Sequence, residues 1–310
     1  MAHKIGIIGF GKIAQDQHVP VIRANPSFEL LAVASQRGLE HEDAKHAFKD
    51  YREMLKLPDL EAVAICTPPQ VRHAIARDAL EAGKHVLLEK PPAATLSELQ
   101  DLGRIAERVG RVVFTTWHSQ YNRAVGEARN ALVGQRVRHL LVTWKEDVRH
   151  WHPGQRWIWE AGGFGVFDPG INALSIVTKI LPEPVFVSRA DLQFPSNRDA
   201  PIAADLQFRS GLEGEDLRAV FDWRQTGRQT WDITVETQAG SRLVLAHGGS
   251  RLEIGGRVVA EEKPAEYQGI YERFAVLLQE GRSEVDEDPF RLVADAFMIG
   301  RRVVVEAFED

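Results

Sequence analysis

Two stretches of the chain gather residues able to do chemistry. One is Glu89-Lys90-Pro91-Pro92, an acid and an amine side by side ahead of two prolines. The other is 144–172, WKEDVRHWHPGQRWIWEAGGFGVFDPGIN, which sets Trp144, Trp151, Trp157 and Trp159 among Lys145, Glu146, Asp147, His150 and His152, then reaches Asp168 through a glycine-rich turn. Indole offers a flat apolar face with one donor, which suits the C–H face of a sugar ring, and carboxylates, imidazoles and amides satisfy hydroxyls. The same mixture would serve a half-buried sheet edge whose tryptophans cover a domain floor. A lysine desolvated in a crevice has its pKa lowered, and a nearby carboxylate can accept a proton or hold the lysine charged. Asp168 followed by Pro169 has a structural reading as well, a helix N-cap with proline at the first helical position. His150 and His152 would share a face on a strand, but with no third ligand at a recognisable spacing no metal is expected.

Alternating β and α segments would position the first stretch. Residues 4–8 feed Gly9-Phe10-Gly11-Lys12-Ile13-Ala14, a G-x-G-x-x-A dinucleotide fingerprint between a strand and a helix. Gly9 permits the tight turn, Gly11 lets the backbone approach a pyrophosphate and Ala14 allows close helix packing. The next apolar run, 30–35, ends in Ser35-Gln36-Arg37, with no acid to take a ribose 2′-hydroxyl. Hydroxyl and guanidinium donors there suit a 2′-phosphate, so NADP is expected at least as readily as NAD. Residues 62–66 lead to Thr67-Pro68-Pro69, with Thr67 facing the crevice and Cys66 a buried small residue with no base beside it. A helix over 71–82 ends at Gly83, and the strand 85–88 delivers Glu89 and Lys90, which alternation sends to opposite faces. A helix over 96–109 and a strand over 112–116 complete a doubly wound parallel sheet.

Beyond His118 the alternation breaks down. A helix over 124–132 precedes strands at 137–143, 185–192, 203–207, 219–223, 230–237 and 242–245, several alternating apolar and polar residues. That is the pattern of an open, mostly antiparallel sheet with one covered face. Residues 268–279 and 290–307 read as amphipathic helices. The class is α/β: a doubly wound dinucleotide-binding domain over 1–119 and an α+β domain over 120–310 that holds the substrate.

With 310 residues, two domains are expected, because a single core is then at its usual limit. A net charge of −6 argues against nucleic acid or an anionic membrane as partner. The single cysteine cannot form an internal disulfide, which fits a reducing cytoplasm. The opening MAHKIGIIGFG carries no cleavable apolar segment, and no run approaches the roughly 20 apolar residues of a membrane span.

With G-F-G-K-I-A, T-P-P, E-K-P-P and G-G-F-G-V-F-D-P-G-I-N in place, the chain resembles the Gfo/Idh/MocA oxidoreductases over essentially its whole length. The stretches W-K-E-D-V-R-H-W-H-P-G-Q and F-D-P-G-I-N-A-L-S-I-V-T resemble most the subgroup that oxidises L-arabinose or D-galactose at C1 to the lactone with NAD(P). The resemblance puts the family's strand-end lysine on Lys90 and its catalytic segment on Asp168 and Asn172, where many members carry histidine in place of Asn172. It matches Glu146 and His152 to further functional positions of the subgroup and implies a homo-oligomer. Chemistry at C1 then calls for Asp168 as proton acceptor, Lys90 to polarise O1 and Asn172 to orient the pair. Glu146 and His152 would meet the sugar hydroxyls, with His152 the second candidate acid/base. Trp151 and Trp231 would pack on the ring, and His118 would lie near the nicotinamide. Gly9, Phe10, Gly11, Lys12, Ile13, Ser35, Gln36, Arg37, Thr67, Pro68, Glu89 and Lys90 are the expected cofactor contacts. An NAD-dependent glycosidase and a non-catalytic sugar or dinucleotide sensor of the same fold are the alternatives.

Overall fold

Short, mostly apolar runs build a wholly parallel six-stranded sheet, as the computed structural model, which describes residues 2–212, 214–263 and 265–309, makes plain. Its strands are β1 (His3–Ile8), β2 (Phe28–Ala34), β3 (His46–Phe48), β4 (Ala62–Ile65), β5 (His85–Leu88) and β6 (Val113–Thr115), in the order β3-β2-β1-β4-β5-β6. Ile5, Ile7, Val63, Ile65, Val86 and Leu88 are buried, since a parallel sheet is covered on both faces. The strand order reverses at β1, and the crevice beyond the carboxyl ends of β1 and β4 is where such sheets take ligands.

The helices of this unit are locally encoded. A π-type turn over Ala14–His18 runs into α1 (Val19–Ala24). Asp50 caps α2 (Tyr51–Leu55) by accepting from the Arg52 N–H. After α3 (Pro69–Glu81), α4 (Leu96–Val109) opens on a Thr95/Glu98 capping box and stops at Gly110, whose φ of 62° suits glycine.

The second unit comprises α5 (Arg123–Leu132), β7 (Val137–Lys145), the single turn α6 (Val148–Trp151), α7 (Phe167–Ile180), β8 (Phe186–Pro195), β9 (Ala203–Arg209), β10 (Asp216–Asp222), β11 (Thr230–Thr237), β12 (Arg242–Ala246), β13 (Arg251–Ile254) and β14 (Arg257–Glu261). The chain then forms α8 (Glu266–Glu280), α9 (Asp288–Ile299) and β15 (Arg301–Val305). The sheet of this unit is β14-β13-β12-β11-β7-β10-β9-β8-β15, antiparallel except at β7–β10 and β8–β15. Along β7, Leu140, Val142 and Trp144 are buried while Leu141, Thr143 and Lys145 are half-buried, the alternation expected of a sheet covered on one face. Among the described residues no helix is long and apolar enough to cross a membrane.

Three sequence expectations change. A boundary at 119/120 assigns α8 to the second domain, but by its contacts Ala265–Glu287 groups with Met1–His118. The cause is aromatic packing: Phe274 stacks on Phe28 and Phe114, and Tyr271 meets Phe28 edge-on. The helix read over 290–307 ends at Ile299, because the β-branched R-R-V-V-V run after Gly300 joins the sheet beside β8. The hairpin β13–β14 was not foreseen; its signal was Gly255-Gly256, both at positive φ between two short β runs.

Gly165 carries the entry into α7. Its φ is +52°, and a Cβ there would lie 2.3 Å from the Pro201 carbonyl oxygen. Gly165→Ala is predicted to lose about 2 kcal/mol or more in urea denaturation. Gly154→Ala, where φ is +70° but no atom lies within 4 Å, should lose less than half as much. Equal losses would contradict the close-approach reading.

Candidate active site

In the first unit Gly9 turns the chain at a φ of 90°, and a Cβ there would meet the Thr67 backbone nitrogen at 2.8 Å. A Cβ at Gly11 would meet nothing within 4 Å, so the backbone is open to a close ligand. Gly9, Phe10, Gly11, Ser35, Gln36, Arg37, Thr67 and Pro68 line one cavity of about 710 Å³. Of the other expected cofactor contacts, Lys12 pairs with Asp16 and Ile13, Glu89 and Lys90 lie outside this lining. Lys49 and Arg52 join Arg37 at the cavity, brought there by the link from β3 to α2, which no local motif marks. The Thr67 hydroxyl is buried without a hydrogen-bond partner among the described residues. An open glycine edge, an unsatisfied hydroxyl and three cations fit a phosphorylated dinucleotide.

At the tip of β5, Glu89 turns inward and is 3% exposed. Its Oε1 lies 3.0 Å from His18 Nε2 and accepts from the Tyr267 hydroxyl at 2.9 Å, while its Oε2 accepts from the Lys90 N–H at 3.0 Å. Expected as a cofactor contact, Glu89 has both oxygens committed to internal partners. Burial alone would raise its pKa, but His18, His118 and Tyr267 lower it to about 2. Burial opposes charge on His18 too, yet Cys66, Tyr271 and Glu89 hold its pKa well above the ordinary value. Cys66 is therefore not without a neighbouring base: it is half-buried, lines the cavity and lies against His18. The buried Arg72 donates to the carbonyls of Thr67, Glu89 and Pro91, tying the T-P-P and E-K-P turns together across a cis Lys90–Pro91 bond. His118 stacks on Tyr267 and has Nδ1 2.8 Å from Glu266. Burial works against its charge, but Glu266 outweighs this and its pKa is raised. Sequence reading missed His18, Arg72 and Tyr267, since only the fold brings them to the strand tip.

In the second unit Glu146, 5% exposed, follows the end of β7. Trp223 Nε1 donates to its Oε1 at 3.3 Å and Trp231 Nε1 to its Oε2 at 2.9 Å. His152 Nε2 lies 3.5 Å from Glu146 Oε1, and His152 Nδ1 lies 3.8 Å from Asp168 Oδ2. That Nδ1 is buried without a hydrogen-bond partner among the described residues. Three residues of the 144–172 stretch thus form a carboxylate–imidazole–carboxylate cluster beside two indoles. Trp151, 45% exposed, packs its ring 5.3 Å from Trp231, whereas Trp144 and Trp159 are buried. The 144–172 stretch therefore serves both readings, with two tryptophans in the core and one at the cluster. Trp223 was not foreseen.

Two local expectations fail here. Asp168 is not an N-cap: α7 begins at Phe167 after Val166, with no side-chain cap, and Pro169 is its third residue. Backbone carbonyls of Phe164, Gly165 and Val166 already take the N–H groups of Phe167, Asp168 and Gly170, so capping does not require the carboxylate. Asn172 stands one turn on and half-buried, on the same face. His150 and His152 do not share a strand face either, because Asp147 caps the short α6 and the chain turns helically there. Among the described residues no group of three or more His, Cys, Asp or Glu is placed to hold a metal ion.

Residues 3–117 match a family described as an oxidoreductase family with an NAD-binding Rossmann fold. A galactose 1-dehydrogenase of Pseudomonas fluorescens is 46% identical over 317 residues, covering 99% of each chain. The crystal structure of a D-galactose-1-dehydrogenase protein from Rhizobium etli is similar with a TM-score of 0.94 and 52% identity, covering 99% of this chain and 98% of that one. A 3-ketoreductase from Actinomadura kijaniata, solved with NADP and TDP-benzene, shares the fold at a TM-score of 0.85 and 19% identity, over 98% of this chain and all of that one.

The His18–Glu89 pair fixes a stability profile. Glu89, lowered from 4.5 to about 2, stabilises the fold fully above its unfolded value and loses that contribution as pH falls through the folded one. His18, raised, contributes below about 6.5 and loses its contribution as pH rises through its folded value. The urea midpoint of the unaltered chain is predicted to fall between about pH 5 and pH 2 more steeply than that of Glu89→Gln. Parallel curves would contradict the pairing.

Proposed function

The chain belongs to the Gfo/Idh/MocA oxidoreductase family, and on that premise we propose that it oxidises an aldopyranose, D-galactose or L-arabinose, at C1 to the lactone with NAD(P). The observation that carries this reading is the buried Glu146–His152–Asp168 cluster flanked by Trp223 and Trp231. Charged acceptors, an unsatisfied imidazole nitrogen and aromatic faces match a ring bearing both hydroxyls and C–H faces. The full-length likeness to galactose 1-dehydrogenases supports the same class of substrate.

NADP or NAD, when bound, supplies the two-electron acceptor. The C1–H bond breaks with its electron pair leaving as hydride, the O1 proton passes to the Asp168 carboxylate, and the carbonyl of the lactone forms. Lys90 polarises O1, and Asn172 orients Asp168. Glu146, its charge held by two indole donors, and His152 bind ring hydroxyls. Trp151 and Trp231 supply apolar ring contact. Ser35, Gln36 and Arg37, with Lys49 and Arg52 beside them, favour a 2′-phosphate. The half-buried outer face of the nine-stranded sheet supports self-association.

A panel of aldoses with either cofactor, followed at the absorbance of reduced nicotinamide, tests the reading. D-galactose or L-arabinose should reduce the cofactor in proportion to sugar consumed. Release of the phenol from an aryl galactoside without net reduction of the cofactor would instead favour the alternative glycosidase reading. Asp168→Asn should lower kcat by about a hundredfold or more at an unchanged melting temperature, the usual contribution of a general base. Retained kcat with lost stability would remove Asp168 from the chemistry. Arg37→Ala should lower kcat/KM for NADP about tenfold while sparing NAD, as loss of a charge-assisted hydrogen bond would; equal losses would refute the phosphate assignment.

A further inference from the structure

The first unit holds more ionisable side chains than hydride transfer at C1 requires. His18, entirely buried, bridges the Glu89 carboxylate and the Tyr271 hydroxyl, 2.8 Å from its Nδ1. None of these three belongs to the cofactor cavity, and none is needed to close the sheet. A buried carboxylate with this many donors is instead held in one rotamer, and what it holds in turn is the main chain at Lys90.

The hydrogen bonds are directional. Glu89 Oε1 takes His18 and Tyr267, leaving Oε2 for the Lys90 N–H at 3.0 Å. His18 comes from the turn after the glycine fingerprint, Tyr267 and Tyr271 from successive turns of α8, and Glu89 from the tip of β5. Three segments far apart in sequence therefore converge on the residue immediately before Lys90. We propose that His18 is a positioning residue, which acts through Glu89 and together with Tyr267 to fix the backbone of Lys90 and so the placement of its ammonium group. The role given to Lys90 rests on the aldose dehydrogenase reading above.

The same geometry makes the device sensitive to protonation. Cys66 after β4, His118 after β6, and Tyr267 and Tyr271 of α8 face His18 and Glu89, while Glu266 of α8 and Lys90 beyond β5 act in turn on His118. Burial pushes the Tyr271 phenol up to about 12 and that of Tyr267 well above its ordinary value, so both remain neutral: Tyr267 donates to Glu89, and Tyr271 accepts from the protonated His18. Glu89 stays an anion because burial is outweighed by His18, His118 and Tyr267. Loss of the His18 proton would leave Glu89 with weaker donors and release the Lys90 turn.

The test uses the full chain with D-galactose and NADP, and has a second readout independent of turnover. His18→Phe should lower kcat about a hundredfold, as expected when a reacting group moves by about 1 Å, with both KM values changed less than about threefold. His18→Gln, which keeps a donor toward Glu89, should recover most of that loss. Tyr267→Phe deletes one hydroxyl and should cost about tenfold in kcat; it carries the test alone if His18→Phe fails to fold. Independently, reductive ¹³C-methylation reports the Lys90 amine by NMR, with the resonance assigned by its absence in Lys90→Ala. Its chemical shift and titration midpoint should move in His18→Phe and Tyr267→Phe and return in His18→Gln. An unmoved Lys90 resonance in folded variants overturns the proposal whether or not the sugar is turned over. A moved resonance in a chain inert toward every aldose would uphold the positioning role and sink the dehydrogenase reading instead.

Discussion

A carboxylate taken out of water must find donors inside the protein, and Glu89 in one unit and Glu146 in the other show how that demand is met. Glu89 is surrounded by His18, Tyr267 and the Lys90 N–H, and Glu146 by Trp223, Trp231 and His152. Removing one partner of such a group strands a buried charge, so these positions constrain the sequence more tightly than the apolar core around them. Lys90 follows Glu89 directly in the chain, and His152 lies between Glu146 and a third buried carboxylate, Asp168.

The sheet of the second unit shows how topology meets the demand. It is mostly antiparallel, yet β7 and β10 run parallel, with Lys145 paired to Asp222 at their last rungs. Their carboxyl ends therefore coincide, and the next residues, Glu146 and Trp223, emerge side by side. On the other flank of β7, antiparallel β11 pairs Trp231 with Trp144 and brings the second indole to the same carboxylate. The α6 turn then folds His152 back, and α7 adds Asp168 from its first turn. One parallel pair within an antiparallel sheet is thus what assembles a polar cluster in an otherwise apolar floor.

Legibility from sequence followed the range of each interaction. The glycine fingerprint, the helix over 96–109 and the strand delivering Lys90 rest on neighbours within a turn or a strand, and all stood out. Asp168, Glu146 and His152 stood out by residue type and resemblance, but their arrangement did not. The Asp-Pro pair suggested a cap two residues away from where α7 begins, because backbone carbonyls do the capping. His18, Arg72, Trp223 and Tyr267 carry no local signature at all. His18, Trp223 and Tyr267 acquire their roles from partners dozens of residues away, and Arg72 from carbonyls of two separate turns, which no spacing rule encodes. The β15 strand was read as helix because its apolar residues continue the amphipathic run of α9, and only the β-branched stretch after Gly300 marks the change.

Both polar clusters have meaning for catalysis only if the bond broken is C1–H of an aldose. D-galactose deuterated at C1, incubated with NADP and the full chain, tests this most directly through the mass of the reduced cofactor. One deuterium transferred per cofactor reduced is the predicted result. Reduced cofactor that carries no deuterium from the sugar would contradict the account.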